Sequence, residues 1–165
     1  LEALNTAVRS QLRPGDLGEI VRLHGVLYAR EHGFDATFEA YVAEPLGRFA
    51  ITRSPRERIW IAEQRGEIQG TVAIVAASPV VAQLRWFLVA PAARGKGLGT
   101  RLLDEAIAFS REEGYRSIVL WTVSSLAAAA RLYVARGFVR TEEKPGRPWG
   151  VDVLEEKYEL SLRSS

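Results

Sequence analysis

Arg94-Gly95-Lys96-Gly97-Leu98-Gly99-Thr100 joins an apolar run at 80–89 to the most regular helical repeat in the chain. The run stops at Ala90-Pro91, since proline has no N–H to offer a sheet ladder. Beyond the glycines, Leu98, Leu102, Leu103, Ala106, Ile107 and Ser110 recur at helical spacing until Gly114. The glycines therefore fall where a strand ends and a helix begins. Backbone amides can point outward there with no Cβ in the way, and the helix start adds free N–H groups and the positive end of its dipole. Such a turn suits phosphate. Spacing excludes two common phosphate loops: GxxxxGK followed by Ser or Thr is absent, and Thr100 stands where GxGxxG requires its third glycine.

The flanking chain gives the fold class. Upstream, 8–12 alternates weakly, and Asp16 with Glu19 reads as a capping box for a helix from Leu17 through Ile20, Val21, Leu23 and Leu27 to Gly33. Asp35 is a second N-cap, opening a helix through Phe38, Tyr41, Val42 and Leu46. Strand-like runs at 59–63 and 68–76 are joined by the polar turn Arg65-Gly66-Glu67. Downstream come a strand at 118–123, a helix at 125–136 closed by Gly137, and final strands at 138–141 and 153–160. The order β, α, α, β, β, β, α, β, α, β, β predicts an α+β fold on a mixed sheet, with a crossover after the fourth strand.

Composition narrows the classes. A chain of 165 residues, 47% hydrophobic and 25% charged, reads as one globular domain over 1–165. A net charge of +2 speaks against a general nucleic-acid binder. Without cysteine there is no disulfide framework, thiolate zinc site or cysteine nucleophile, and no metal site is expected. No apolar run approaches a membrane span, and 1–12 is too polar for a secretory signal, so a cytoplasmic protein is expected. Methionine is absent even at position 1, which predicts that something precedes Leu1.

Read as Arg94-x-x-Gly97-x-Gly99, the turn resembles the cofactor motif of the GNAT acetyltransferase superfamily. A second segment, Ala129-x-x-Leu132-Tyr133-x-x-x-Gly137-Phe138, resembles another signature of that family, in the right order and about 35 residues on. The resemblance covers most of the chain. It implies a central twisted mixed sheet of roughly six to seven strands flanked by about four helices. It also implies acetyl-CoA as cofactor, its pyrophosphate wrapped by Arg94, Gly95, Lys96, Gly97, Leu98, Gly99 and Thr100. In the family the preceding strand splays from its neighbour and offers main-chain groups to the pantetheine arm, which implies Phe87, Leu88 and Val89. Where many members have an asparagine this chain has Val123-Ser124-Ser125-Leu126, and Ser124 or Ser125 is expected to replace that contact. More narrowly, His24-Gly25-x-Leu27-Tyr28-Ala29-Arg30-Glu31-His32-Gly33-Phe34-Asp35 resembles acetyltransferase domains fused behind a MarR-type winged-helix regulator.

Acetyl transfer to an amine poses two proton problems, because the amine arrives protonated and the leaving thiolate must gain a proton. The resemblance gives the second task to Tyr133 as general acid. With tyrosine near 10 and a thiol near 8.5, full transfer is uphill by about 2 kcal/mol, so a hydrogen bond to the leaving sulfur serves as well. Glu31 is the first candidate base; it lies seven residues from His24 on one helix face, with Tyr28 between, and water is the alternative. Arg85 and Trp86 alternate along the cofactor strand, so one of them is expected to face the acceptor. His24, Tyr28, Arg85 and Trp121 are the expected acceptor-binding residues, with Trp149 a further aromatic candidate. Arg85 in the cleft favours an acceptor carrying a carboxylate or phosphate. The expected activity is direct transfer of acetyl from acetyl-CoA to a primary amine of a small molecule. The alternatives are a non-catalytic sensor of acetyl-CoA or another small ligand that regulates an attached or partner DNA-binding domain, and a protein lysine acetyltransferase with an open groove.

Overall fold

Arg65 and Gly66 both take positive φ (54° and 77°), the turn geometry whose twist matches that of paired strands. They close a hairpin between β2 (Arg58–Gln64) and β3 (Glu67–Ala76). The computed structural model describes residues 6–163. The remaining strands are β1 (Ala7–Arg9), β4 (Val81–Val89), β5 (Ser117–Val123), β6 (Val139–Gly146) and β7 (Val153–Ser161). The helices are α1 (Asp16–His32), α2 (Ala36–Thr52), α3 (Leu98–Glu112) and α4 (Ala127–Ala135). The element order expected from the sequence is the order observed. The start at Leu1, to which the expectation of an upstream segment attaches, lies outside the described residues.

All seven strands form one mixed sheet in the order β1-β2-β3-β4-β5-β7-β6. β4 and β5 run parallel, joined through α3 as the crossover, and the other neighbours are antiparallel. Alternation along β2 sends Trp60 and Ala62 to one face and Ile59 and Ile61 to the other. The first face packs on α3 through Leu102, Leu103 and Ala106, and the second on α1 and α2 through Ile20, Phe38 and Leu46. Burying each of the larger of these side chains, leucine, isoleucine or phenylalanine, contributes about 1.5–3 kcal/mol.

One local expectation is corrected and two elements run further than expected. Asp16 does not cap α1: Gly15, at φ 91°, precedes the helix, and the Asp16 carboxylate instead accepts from the Arg9 guanidinium at 2.7 and 2.9 Å and from the Arg13 N–H at 2.6 Å. A bidentate charged donor outcompetes the helix's own amides for that carboxylate. α2 runs past Leu46 to Thr52, with Pro45 inside it, and buries Phe49 against Trp86 at 5.6 Å between ring centres. The strand expected at 138–141 extends to Gly146, because β7 inserts between β5 and β6 and gives β6 a full-length partner.

Two irregularities in β4 break the sheet's regularity at its centre. β4 pairs with β5 only at Val81, Ala82 and Gln83, so the two strands part company beyond that point. Against β3, Arg85 faces Ala73 while Leu88 faces Thr71, leaving two β4 residues opposite one β3 residue. Trp86 in this bulge has φ 50°, and the Thr71 hydroxyl donates to the Trp86 carbonyl at 2.7 Å.

Candidate active site

Where β4 and β5 separate, a cleft of about 580 Å³ opens, bordered by β4 from Gln83 to Val89 and by β5 from Leu120 to Val123. One end of it is the glycine turn. Gly97 (φ 82°) precedes α3 with no side-chain cap, so the first-turn amides of Leu98, Gly99 and Thr100 are left to a ligand. Gly95 (φ 75°) and Gly97 have no atom within 4 Å of where a Cβ would sit, and the turn is open on that side. A Cβ at Gly99 would meet Leu132 at 3.2 Å. That contact seats the helix start against α4, which carries Tyr133.

Tyr133 is 4% exposed and lines the cleft, its ring about 6 Å from Phe87, Phe138 and Tyr158. Burial holds its proton well above the ordinary tyrosine range, and the nearby Tyr28 and Tyr158 hydroxyls add to the effect. Splayed parallel strands, an uncapped glycine-led helix start and a buried tyrosine thus converge on one cleft. The sequence profile of the Acetyltransferase (GNAT) family matches residues 24–138, a span that contains every one of these elements. The chain belongs to that family.

Its relatives agree. An uncharacterised N-acetyltransferase of Schizosaccharomyces pombe is 32% identical over 143 residues, covering 84% of this chain and 85% of its own. Mouse N-acetyltransferase 8 is 33% identical over 111 residues, 62% of this chain but only 45% of the mouse protein. Among solved structures, an N-acetyltransferase of Staphylococcus aureus superposes with a TM-score of 0.78 at 21% identity, covering 96% of this chain and 99% of that one. The Salmonella typhimurium acetyltransferase YncA, solved with acetyl-CoA, gives 0.72 at 21% identity and covers 98% and 96%. The enzyme class is acetyl-CoA-dependent acyltransferase, and the open, uncapped turn fits that cofactor's phosphates.

Within this acetyltransferase the expected cofactor residues fall in two sets. Phe87, Leu88, Val89, Arg94, Gly95, Gly97, Leu98, Gly99 and Thr100 border the cleft. Lys96 does not; it lies along a hollow of about 70 Å³ with Arg101, bordered also by Gly97 and Leu98. Ser124 is outside the cleft too, its N–H bonded to the Leu154 carbonyl at 2.9 Å. Ser125 takes its place, with Oγ 3.1 Å from His32 Nδ1. Arg94 donates through Nε to the Val89 carbonyl at 3.1 Å and through both terminal nitrogens to Glu31, at 2.6 and 2.8 Å.

That pair changes the role of Glu31. The Arg94 hydrogen bonds hold the Glu31 carboxylate below its usual proton affinity, against a smaller opposing effect of burial. A carboxylate gripped at both oxygens is a poor base, and this pairing speaks against Glu31 as the group that takes the proton. His24 is no better as a base. Its Nδ1–H donates to the Ile20 carbonyl at 2.8 Å, its Nε2 has no partner among the described residues, and burial lowers its pKa to about 4.

The side of the cleft toward α1 and α2, where the acceptor residues are expected, is aromatic. Tyr28 stacks on Phe38 at 4.6 Å, and Trp149 packs against Phe34 at 4.9 Å and Tyr41 at 5.3 Å. Burial, with the Glu31 charge adding, pushes Tyr28 up to about 12, so it stays neutral. Trp121 borders the mouth, 38% exposed. Arg85 and Trp86 do not take opposite faces. The bulge inserts one residue, so both lie on the α2 side: the Arg85 guanidinium carbon is 6.0 Å from the Tyr41 ring, and Trp86 packs on Phe49. Phe38, Tyr41 and Glu155 also line the cleft, and no sequence motif marks them; Phe34, inside the 24–35 segment, lines it too. Helical spacing joins Phe38 to Tyr41, but that pattern reads equally as core.

Proposed function

We propose that this acetyltransferase moves acetyl from acetyl-CoA directly to a primary amine of a small molecule, with no covalent enzyme intermediate. The carrying observation is the acceptor side of the cleft, walled by Tyr28 of α1, Phe38 and Tyr41 of α2 and Trp149 of the β6–β7 loop. Four rings from three segments suit a small acceptor, whereas a protein lysine needs an open groove.

In this reading the amides of Leu98, Gly99 and Thr100 and the Arg94 guanidinium hold the cofactor phosphates, with Lys96 adding charge from outside. The backbone of Phe87, Leu88 and Val89 aligns the pantetheine arm. Ser125 replaces Ser124 as the contact from the β5–α4 turn. When bound, acetyl-CoA supplies the activated thioester. Tyr133 keeps its proton and donates a hydrogen bond to the departing thiolate, which takes its proton from solvent; the raised proton affinity of Tyr133 makes full donation more uphill than for an ordinary tyrosine. Deprotonation of the amine is assigned to water. Residues 1–165 act as one cytoplasmic acetyltransferase domain, and the 24–35 segment supports an upstream MarR-type regulator. Among the described residues no helix is long and apolar enough to cross a membrane.

Calorimetric titration with acetyl-CoA, using ATP and NAD as controls, tests the cofactor half of the reading. Micromolar binding of acetyl-CoA alone is expected, and its loss in Gly97→Leu, where a side chain meets both the positive φ and the phosphate site. Amine-dependent release of free thiol tests the rest. Equal binding by the variant would mean that the turn is not the phosphate site.

A further inference from the structure

Two guanidinium groups reach the cleft, and they differ in what they hold. Arg94 is occupied by Glu31 at 2.6 and 2.8 Å. Arg85 rests over two ring faces, its Cζ 5.0 Å from Trp86 and 6.0 Å from Tyr41, and among the described residues it has neither hydrogen bond nor ion pair. Ring faces hold a guanidinium by cation–π attraction but accept none of its N–H bonds, so its planar fork stays available. It is also half-buried, where the absence of an anion is costly. The fold goes to some length to put it there. Regular alternation would send Arg85 and Trp86 to opposite faces, and only the bulge, with Trp86 at φ 50°, brings the guanidinium and its aromatic seat together on the acceptor side.

We infer that Arg85 is the specificity residue of the acceptor site and that the acceptor is an amine that also carries an anionic group, a carboxylate or a phosphoryl, on an apolar body. This rests on the acetyltransferase reading above. The fork of Arg85 matches two oxygens of either anion, and the rings of Tyr28, Phe38 and Tyr41 take the apolar body. Glu155 borders the same cleft from β7 and is likewise without an ion pair among the described residues. It lies on the far side of the gap from β4, on β7 opposite Val123 of β5, and gives the ammonium end an opposite sign to approach. An acceptor with both charges is thereby oriented before it is deprotonated.

The test is kcat/KM for matched acceptors with the wild type, Arg85→Gln and Arg85→Lys. The panel is the standard amino acids, each with its amide, together with phenethylamine and aminoalkylphosphonates. Wild type is expected to prefer acids over their amides by at least about tenfold. Arg85→Gln should cut transfer to acids roughly 10–100-fold, the size of a lost charged hydrogen-bond pair, while holding amides within about threefold. Arg85→Lys, which keeps the charge but not the fork, should fall between. Preference for aminoalkylphosphonates over amino acids would name phosphoryl as the anion. Acetyl-CoA affinity, measured beside it, should be unchanged in Arg85→Gln. Equal wild-type rates on acids and amides, or an equal loss on both in the variant, would overturn the inference while acetyl transfer stands. Transfer to no amine in the panel would overturn both.

Discussion

A buried tyrosine hydroxyl is a weak acid and a good hydrogen-bond donor, and Tyr133 is surrounded by the rings of Phe87, Phe138 and Tyr158. Its raised proton affinity keeps it neutral through the working pH range. Tyr133→Phe should therefore lower the transfer rate by on the order of 10–100-fold with unchanged acetyl-CoA affinity, and the wild-type pH–rate profile should show no loss of activity from tyrosine ionisation up to about pH 10. An unaltered rate in the variant would remove Tyr133 from the mechanism. His24 makes a second prediction at this scale. Its pKa is about 4 in the fold and 6.5 unfolded, because burial penalises the cation. Between those values the unfolded chain binds more protons, so stability rises with pH and is lost as pH falls from 6.5 towards 4. Wild type should lose about 2 kcal/mol between pH 7 and pH 5 that His24→Gln does not, measured by urea unfolding at both pH values. Parallel losses in the two proteins would mean that the imidazole is not buried in its neutral form.

The ion pair between α1 and the turn before α3 joins the acceptor side of the cleft to the cofactor side. Glu31 and Arg94 are about a third and a half exposed, so their attraction is screened and modest. In the proposed reading, cofactor phosphate competes with Glu31 for the same fork. Glu31→Gln should accordingly tighten acetyl-CoA binding roughly 2–5-fold, the span of a partly exposed pair, with a smaller gain at high salt. If binding weakens instead, Glu31 is needed to hold Arg94 in position. This pair also marks where the sequence stops being legible. The hairpin at Arg65-Gly66, the proline after β4 and the glycines before α3 are local signals, each decided by the conformation of one or two residues, and each is readable from the residues alone. Glu31 and Arg94 are 63 positions apart, and Arg9 takes Asp16 away from its helix end through a contact that only the folded sheet creates. The bulge at Trp86 is harder still. Period-two alternation carries no mark of one extra residue, and a tryptophan at positive φ is the last choice propensity would make. Its support is tertiary, from the Thr71 hydroxyl on β3 and the Phe49 ring on α2. Ser125 over Ser124 obeys the same logic, since which of two adjacent serines faces the cleft depends on how β5 ends against Leu154.

At the scale of the molecule the sheet is two ladders hinged at a short seam. β1 to β4 form one and β5, β7 and β6 the other, paired where Val81, Ala82 and Gln83 meet Ser117, Ile118 and Val119, with the Arg116 N–H donating to the Val80 carbonyl beside them. Past that seam each strand keeps its outer neighbour and loses its inner one, so backbone groups along residues 84–89 and 120–123 face the cleft without a strand partner across it. Buried N–H and C=O groups left this way are costly unless a ligand or water satisfies them, and a cofactor arm laid in the gap satisfies them by acting as the missing strand. Hydrogen exchange separates this from simple stabilisation. Any ligand slows exchange everywhere by its global effect, about 2.7 kcal/mol or a hundredfold at a concentration one hundred times Kd. Amides deep in the β2–β3 ladder should change by that increment alone and only at long times. The cleft-facing amides of 84–89 and 120–123 should exchange within minutes in the free protein and become protected at once on adding acetyl-CoA, together with the first turn of α3. Early protection confined to α1 and α2 would place the cofactor on the acceptor side and sink the assignment of the gap. Early protection on both flanks of the gap would mean that the parted strands bind their ligand as an open sheet edge binds a strand.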